Sequence, residues 1–158
     1  MRVGQGFDIH RLAPNHRLVI GGVFIDSELG CVAHSDGDVL IHAICDALYG
    51  AMGEEDIGSH FPDSDIKYKN MPSEVFLLSA TQLLKEKGYT ILNLDTTIII
   101  EKPSLKQYKT PIKNNLATIL KIHQSLISIK AKTAETLGLI GNNQAVCAFA
   151  TLLIKDAD

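Results

Sequence analysis

The chain has 158 residues, a length that fits one domain with its own hydrophobic core. Hydrophobic residues make up 46% and charged residues 21%, which excludes the class of disordered proteins. The formal net charge is −3, and the sequence has no Trp and no run of Lys or Arg. Neither a nucleic acid nor an anionic membrane is therefore predicted as a partner. A phosphorylated ligand would need local neutralisation, by metal ions, helix N-termini and a few lysines.

The three cysteines, Cys31, Cys45 and Cys147, are an odd number without C-x-x-C spacing. This pattern argues against a disulfide framework and against a thiolate zinc site, and it favours buried thiols. The first residues lack the charged and apolar segments of a leader, and no apolar run reaches transmembrane length. We therefore expect a cytoplasmic protein or the mature form of an imported one.

In chain order, the predicted elements begin with a short strand from Val3 to His10. A tight hairpin follows, in which Gly21 and Gly22 supply positive φ between two short apolar strands, 18–20 and 23–25. Apolar residues at helical spacing predict a helix from Asp38 to Met52. Ser35 or Asp38 is expected to cap its start, and Gly53 lies at its end.

The rest of the chain continues the alternation of helices and strands. The predicted elements are a loop over 54–72, a helix from Ser73 to Gly88, a strand over 90–100, a helix over about 108–122 with Pro111 in its first turn, a strand over 126–131, a short helical turn over 134–137 and a closing strand over 145–154. This order predicts an α/β fold with a mixed sheet, in a single domain over residues 1–158.

Asp8 and His10 are candidate metal ligands. Because side chains two apart on a strand share a face, Asp8 and His10 can bind one ion, and His42 on the first predicted helix can supply a third ligand. Two imidazoles and one carboxylate with an open fourth position are typical of a catalytic zinc site. A histidine on an apolar helix face is also a common core residue, so spacing alone leaves both interpretations open. Asp46 either orients an imidazole or makes a plain polar contact.

Three further segments carry candidate binding residues. Capping of the first helix explains Ser35 or Asp38 but not His34 and Asp36, and a helix N-terminus is a natural phosphate site. Lysines and a hydroxyl in the segment 130–135 can cradle a diphosphate at a predicted helix start, with Glu135 holding a Mg²⁺ ion. The loop segments 56–58 and 61–65 either bind ligand hydroxyls or form a solvated turn.

Five motifs occur together in the chain: GQGFDIH at 4–10, AHSDGDVLIHA at 33–43, DIGSHFPDSD at 56–65, DTTIIIEKP at 95–103 and KAKTAETLG at 130–138. With these motifs the chain resembles the 2-C-methyl-D-erythritol 2,4-cyclodiphosphate synthase family of the non-mevalonate isoprenoid pathway. The resemblance implies metal-dependent conversion of 4-diphosphocytidyl-2-C-methyl-D-erythritol 2-phosphate to the cyclic diphosphate and CMP. It also implies a homotrimer with active sites between subunits.

The resemblance also implies roles for individual residues. Asp8, His10 and His42 match the zinc ligands, and Glu135 matches the ligand of a Mg²⁺ or Mn²⁺ ion that also contacts the substrate diphosphate. His34 and Thr133 match the catalytic residues. The implied substrate-binding residues are Asp8, His10, Ser35, Asp56, Ile57, Gly58, Phe61, Pro62, Asp63, Ser64, Asp65, Ile100, Glu101, Lys102, Pro103, Ser104, Leu105, Lys106, Ala131, Lys132, Glu135, Leu139 and Asn142. Within this set, 56–58 and 61–65 match the methylerythritol pocket, and 100–106 with 131–133 match the cytidine pocket.

One segment departs from the family pattern, which often has Gly-Arg followed by an acidic residue near the C-terminus. Here the sequence is Gly141-Asn142-Asn143-Gln144, which puts in question one phosphate contact and an anion site near the trimer axis. Two other functions stay open on the sequence. One is a metal-dependent phosphohydrolase on the same scaffold, and the other is a non-catalytic trimer that binds a metal or a nucleotide.

Overall fold

The computed structural model describes residues 1–62 and 64–157, so Asp63, a predicted substrate-binding residue, lies outside the described residues. The strands are β1 (Arg2–Pro14), β2 (Leu18–Ile20), β3 (Val23–Ile25), β4 (Leu29–Val32), β5 (Tyr89–Ile99), β6 (Ile127–Lys132) and β7 (Ala145–Asp156). The helices are α1 (Val39–Met52), α2 (Ile57–His60), α3 (Ser73–Glu86), α4 (Lys109–Leu120) and α5 (Gly138–Gly141), with short 3₁₀ turns at Ile66–Tyr68 and Gln124–Leu126.

Five strands form one sheet in the order β4-β1-β7-β5-β6. Only β5 and β6 run parallel among these neighbours, and the other pairs of the described sheet are antiparallel. The predicted α/β fold with a mixed sheet is therefore confirmed. The hairpin β2–β3 is also confirmed, with φ of 60° at Gly21 and 74° at Gly22. The four-residue strand β4 was not predicted, because it is too short to show a periodic pattern.

Helix α1 packs unusually close to strand β1, because two glycines of the strand face it. A Cβ atom on Gly4 would lie 1.8 Å from the carbonyl oxygen of Ala47, and one on Gly6 would lie 2.0 Å from that of Ala43. Only a residue without a side chain fits at these two positions. Gly4 and Gly6 therefore set the distance between β1 and α1.

The predicted helical turn over 134–137 is wrong. Glu135 and Thr136 have φ of 52° and 61°, in the left-handed region, so they cannot belong to a right-handed helix. The short helix α5 begins only at Gly138. The lysines and the hydroxyl of the segment 130–133 therefore do not stand at a helix start, as the sequence suggested.

The face of the sheet opposite α1 is partly apolar and exposed. Val3, Phe7, Ile9 and Phe149 on β1 and β7 are 40–63% exposed. The rings of Phe7 and Phe149 lie 4.8 Å apart, centroid to centroid, so these side chains form one patch. Within the described residues, no helix is both long and apolar enough to cross a bilayer.

Candidate metal centre and substrate hollow

Asp8, His10 and His42 come together where β1 faces α1. Oδ2 of Asp8 lies 3.2 Å from Nε2 of His10 and 3.0 Å from Nδ1 of His42, and the two imidazole nitrogens are 3.2 Å apart. Three ligand atoms about 2.1 Å from a tetrahedral ion are separated by roughly 3.4 Å. The triangle is therefore nearly the right size to hold a metal ion. The three residues are the only such His, Cys, Asp and Glu cluster in the part of the chain that the structure describes.

The electrostatics of the triangle favour positive charge at His42. Burial lowers the pKa of its imidazole, but the hydrogen bond with Asp8 and the charges of Asp8, Asp38 and Asp36 outweigh burial and raise the pKa above 6.5. The same negative charges that attract a proton to Nδ1 also attract a cation. This nitrogen can therefore hold either a proton or a metal ion.

Asp38 fixes the start of α1 and so the position of His42 one turn later. Its Oδ1 accepts hydrogen bonds from the N–H groups of Leu40 and Ile41, which makes Asp38, rather than Ser35, the helix cap. The same carboxyl group accepts hydrogen bonds from Gly21 at 2.9 Å and Gly22 at 2.6 Å. Burial raises its pKa to about 6 despite these donors. One buried carboxyl group thus joins the β2–β3 hairpin to the helix that carries His42.

A hollow of about 350 Å³ opens directly onto the metal triangle. Its wall includes the predicted residues His34, Ser35, Ile57, Gly58 and Phe61. Nε2 of His34 is buried and has no hydrogen-bond partner among the residues that the structure describes, so this nitrogen can bind a ligand. The structure thus brings the predicted metal ligands, one predicted catalytic residue and part of the predicted methylerythritol pocket into one cavity.

A second hollow of about 370 Å³ lies at the ends of strands β5 and β6, toward the β6 edge of the sheet. Its wall contains most of the predicted cytidine-pocket residues, namely Ile100, Glu101, Pro103, Ser104, Leu105, Lys106, Ala131, Lys132 and Thr133. Lys109, at the start of α4, also lines this hollow and was missed in the sequence. Lys102 faces a neighbouring hollow with Asp26 and Glu28.

The two hollows share no lining residue. Asp8 pairs with Ala148, which pairs with Ile98, which pairs with Ala131, so the first and last of these residues lie at the same level of the sheet. Three strand spacings of about 4.8 Å separate them by roughly 14 Å. One chain therefore presents the two halves of the predicted site at separate places.

The loop that carries Thr133 and Glu135 is anchored by Glu101. Oε2 of Glu101 accepts hydrogen bonds from the backbone N–H of Ala134 at 3.0 Å and of Thr136 at 3.4 Å. The hydroxyl of Thr133 donates to Oε1 of Glu135 at 2.8 Å, and both residues are exposed. Glu101 is therefore a loop anchor in addition to a lining residue. Among the described residues, Glu135 belongs to no group of three or more His, Cys, Asp or Glu side chains that could hold a metal ion.

Several other predicted site residues have structural contacts. Asp56 caps α2 through the N–H of Ser59 at 3.0 Å, and Asp65 forms an ion pair with Lys67 at 2.8 Å. Asp46 accepts a hydrogen bond from the N–H of Ile57 at 2.8 Å, and Asn142 donates to the carbonyl oxygen of Gly138 at 2.9 Å.

The remaining predicted residues lie elsewhere on the surface. Leu139 lines a separate hollow beside residues 9–12, and Pro62 and Ser64 are exposed.

Sequence reasoning also missed three residues next to the metal triangle. Tyr68 and Phe76 line the first hollow, and Ser73 contacts His42. Tyr68 lies in the segment predicted as a loop over 54–72, and Ser73 and Phe76 belong to a helix for which the sequence predicted no site residue. A hydroxyl after Pro72 at the start of a helix was the available signal, but it normally indicates capping.

The chain matches the YgbB family over residues 1–155. It belongs to this family. Within the family, the 2-C-methyl-D-erythritol 2,4-cyclodiphosphate synthase of Clostridium kluyveri is 49% identical over 154 residues, which cover 98% of this chain and 94% of that protein. The chloroplastic synthase of Arabidopsis thaliana is 46% identical over 153 residues, or 97% of this chain and about two thirds (66%) of its own length.

Solved YgbB-like structures share the fold. IspF of Plasmodium falciparum, in a complex with CDP, has a TM-score of 0.88 and 38% identity, covering 99% of this chain and 97% of that one. The bifunctional IspDF of Campylobacter jejuni has a TM-score of 0.96 and 38% identity, and the match covers 99% of this chain and 42% of that one. These relatives confirm the family resemblance and the predicted enzyme class, a 2-C-methyl-D-erythritol 2,4-cyclodiphosphate synthase.

Proposed function

We propose that residues 1–158 form one catalytic domain that converts 4-diphosphocytidyl-2-C-methyl-D-erythritol 2-phosphate to 2-C-methyl-D-erythritol 2,4-cyclodiphosphate and CMP. The observation that carries the proposal is the metal-sized triangle of Asp8, His10 and His42 at the wall of a hollow that also contains His34. In the reaction, an oxygen of the 2-phosphate attacks the β-phosphorus of the diphosphate. The bond from that phosphorus to the bridging oxygen breaks, and CMP leaves with the bridging oxygen.

The chain's residues would mainly bind and orient two anionic groups. His34, whose buried Nε2 has no partner among the described residues, and Ser35 would contact phosphate oxygens beside the triangle. Thr133, on the anchored loop, would meet charge that develops on the diphosphate. Holding an intramolecular nucleophile in place can remove about 7–11 kcal/mol from a barrier, so the reaction needs no general base. A closed pocket also excludes water, which would otherwise give a linear product.

The donor set of the triangle, two imidazoles and a carboxylate, fits Zn²⁺, and the single carboxylate of Glu135 fits Mg²⁺ or Mn²⁺ shared with a diphosphate. When bound, these ions would polarise a phosphoryl oxygen and neutralise the diphosphate. The Gly141–Gln144 departure leaves this set of ligands intact, because none of the proposed ligands lies in it.

A homotrimer would solve the separation of the two hollows. If the cytidine hollow of one subunit faces the metal hollow of its neighbour, one substrate molecule can contact both. The exposed apolar patch of Val3, Phe7, Ile9 and Phe149 supports this assembly, because such a patch is usually covered in an oligomer. Sedimentation equilibrium tests it, with an expected mass three times 17.2 kDa. A monomer at micromolar concentration would contradict the assembly. A cytoplasmic location stays a prediction.

The reaction is tested by ³¹P NMR of the purified protein with the cytidyl substrate, Zn²⁺ and Mg²⁺. We expect the coupled signals of a cyclic diphosphate to grow together with CMP. Inorganic phosphate or linear esters instead would identify a phosphohydrolase and refute the synthase. No turnover by protein with bound zinc would leave only a binding function.

Two variants separate the proposed roles in the same assay. His42→Ala should lose both bound zinc and CMP release, because it removes one corner of the triangle. His34→Ala should keep zinc and lose turnover, since His34 lines the hollow without belonging to the triangle. Full activity of either variant contradicts the role assigned to that residue.

A further inference from the structure

His42 uses its two ring nitrogens for different contacts. Nδ1 is the corner of the metal triangle, whereas Nε2 points the other way, toward the hydroxyl groups of Ser73 at 2.9 Å and Ser35 at 3.3 Å. A neutral imidazole carries one proton. If Nδ1 is to bind a metal ion, that proton must lie on Nε2, and Nε2 must donate it to an acceptor.

The hydroxyl of Ser73 is fixed as that acceptor by Asp36. The Ser73 hydroxyl donates to Oδ1 of Asp36 in a very short hydrogen bond, and the Ser73 N–H donates to Oδ2 at 3.0 Å. A carboxylate only accepts hydrogen bonds, so the hydroxyl proton of Ser73 is directed to Asp36. The oxygen of Ser73 is then left with lone pairs for the Nε2–H of His42.

The surroundings hold this arrangement rigidly. Ser73 is fully buried, so water does not compete for its hydroxyl. Asp36 also accepts a hydrogen bond from the N–H of Asp38 at 3.2 Å, and its own N–H donates to the carbonyl oxygen of Met71 at 3.2 Å. The chain Asp36–Ser73–His42 therefore links the loop before α1 and the start of α3 to the metal triangle.

We propose that Ser73, held by Asp36, is a positioning residue that fixes the ring orientation and the tautomer of His42, leaving the Nδ1 lone pair for the metal ion. The proposal rests on the proposed metal site but not on the reaction. Ser35 has a weaker claim to this role, because its oxygen is farther from Nε2 and already accepts the N–H of Gly37 at 3.2 Å. If Ser73 is the acceptor for the Nε2–H of His42, the hydroxyl proton of Ser35 remains available to a phosphate.

The proposal is tested by the zinc affinity of the substrate-free protein, which is measured by competition with a chromogenic chelator. Loss of a hydrogen-bond partner behind a ligating histidine typically weakens metal binding by roughly 10- to 100-fold, and we expect that loss for Ser73→Ala. Ser35→Ala is the matched control, because it also removes a hydroxyl beside Nε2. Its zinc affinity should be unchanged.

A spectroscopic readout separates positioning from general destabilisation. In the zinc-loaded protein, the Nε2–H proton of His42 should give a slowly exchanging imidazole NMR signal, which Ser73→Ala loses and Ser35→Ala keeps. Asp36→Asn provides a second variant if Ser73→Ala does not fold. It keeps an acceptor oxygen but no longer forces the hydroxyl direction, so a smaller loss of affinity is expected.

Three outcomes are decisive. Wild-type zinc affinity and a retained imidazole signal in Ser73→Ala overturn the proposal. A loss in Ser35→Ala without one in Ser73→Ala assigns the role to Ser35 and overturns it as well. A loss confined to Ser73→Ala and Asp36→Asn supports it, even if the ³¹P experiment gives no cyclic product, so the failure of the proposed reaction is distinguishable.

Discussion

Gly6→Ala should damage both the fold and the metal triangle. The added Cβ would lie 2.0 Å from the carbonyl oxygen of Ala43, whereas real Cβ atoms essentially never approach closer than 3.0 Å. Strand β1 and helix α1 must then separate by about 1 Å. Overpacking of this kind costs about 1–3 kcal/mol. For a domain of this size each kcal/mol lowers the melting temperature by about 2–4 °C, so we expect a decrease of roughly 2–12 °C.

The same separation should weaken zinc binding. Asp8 and His10 are on β1 and His42 is on α1, so the 3.0 Å and 3.2 Å edges of the triangle cross the gap that opens. Metal ligands must keep their positions to within about 0.2 Å. Differential scanning calorimetry of the metal-free protein and chelator competition for Zn²⁺ measure the two effects separately.

Gly50→Ala is the matched control for this prediction. A Cβ atom at Gly50, also on α1, meets nothing within 4 Å, and alanine in a helix is more stable than glycine by about 1 kcal/mol. This variant should melt at or above the wild-type temperature and keep its zinc affinity. A Gly6→Ala protein with wild-type melting temperature and zinc affinity would refute the argument that the glycines set the β1–α1 distance.

Two further predictions follow from the contacts of the two hollows. Glu101→Ala frees the N–H groups of Ala134 and Thr136, so turnover should fall by roughly 10- to 100-fold because Thr133 is misplaced. Zinc affinity at the triangle should stay unchanged in the chelator assay. A parallel loss of zinc affinity would contradict the separation of the two hollows. Because the hydrogen bond and negative charges around His42 raise its pKa above 6.5, protons should begin to displace zinc above pH 6.5 as the pH falls, with about tenfold weaker binding for each further unit below that pKa. Zinc titrations between pH 5 and 8 measure this competition between protons and zinc. A zinc affinity that does not change over this range would contradict the assignment of His42 as a zinc ligand.

Local patterns in the sequence were sufficient for most of the fold. The β2–β3 hairpin and helix α1 carry their own signals, glycines with positive φ in one and an acidic cap with a terminal glycine in the other. The turn over 134–137 was predicted wrongly because its residues favour a helix locally. The left-handed conformation there is held by Glu101, 33 or more residues away in the sequence.

In the candidate site, too, local contacts could be predicted from the sequence and long-range contacts could not. The period of a strand places Asp8 and His10 on one face, which a sequence can reveal. The partner of Nε2 in His42 depends on Ser73, 31 residues later, and on a carboxylate in the loop before α1. Such a contact exists only after α1 and α3 have packed, so no spacing rule indicates it.

The separation of the two hollows on one chain predicts complementation between inactive proteins. In a trimer with shared sites, His42→Ala spoils only the metal half of a site, and Thr133→Ala spoils only the loop half. When the two inactive variants are unfolded together and reassembled in equal amounts, about a quarter of the sites should receive one intact half from each subunit type. The mixture should therefore regain activity that neither variant has alone, so the unit of catalysis would be a pair of neighbouring chains.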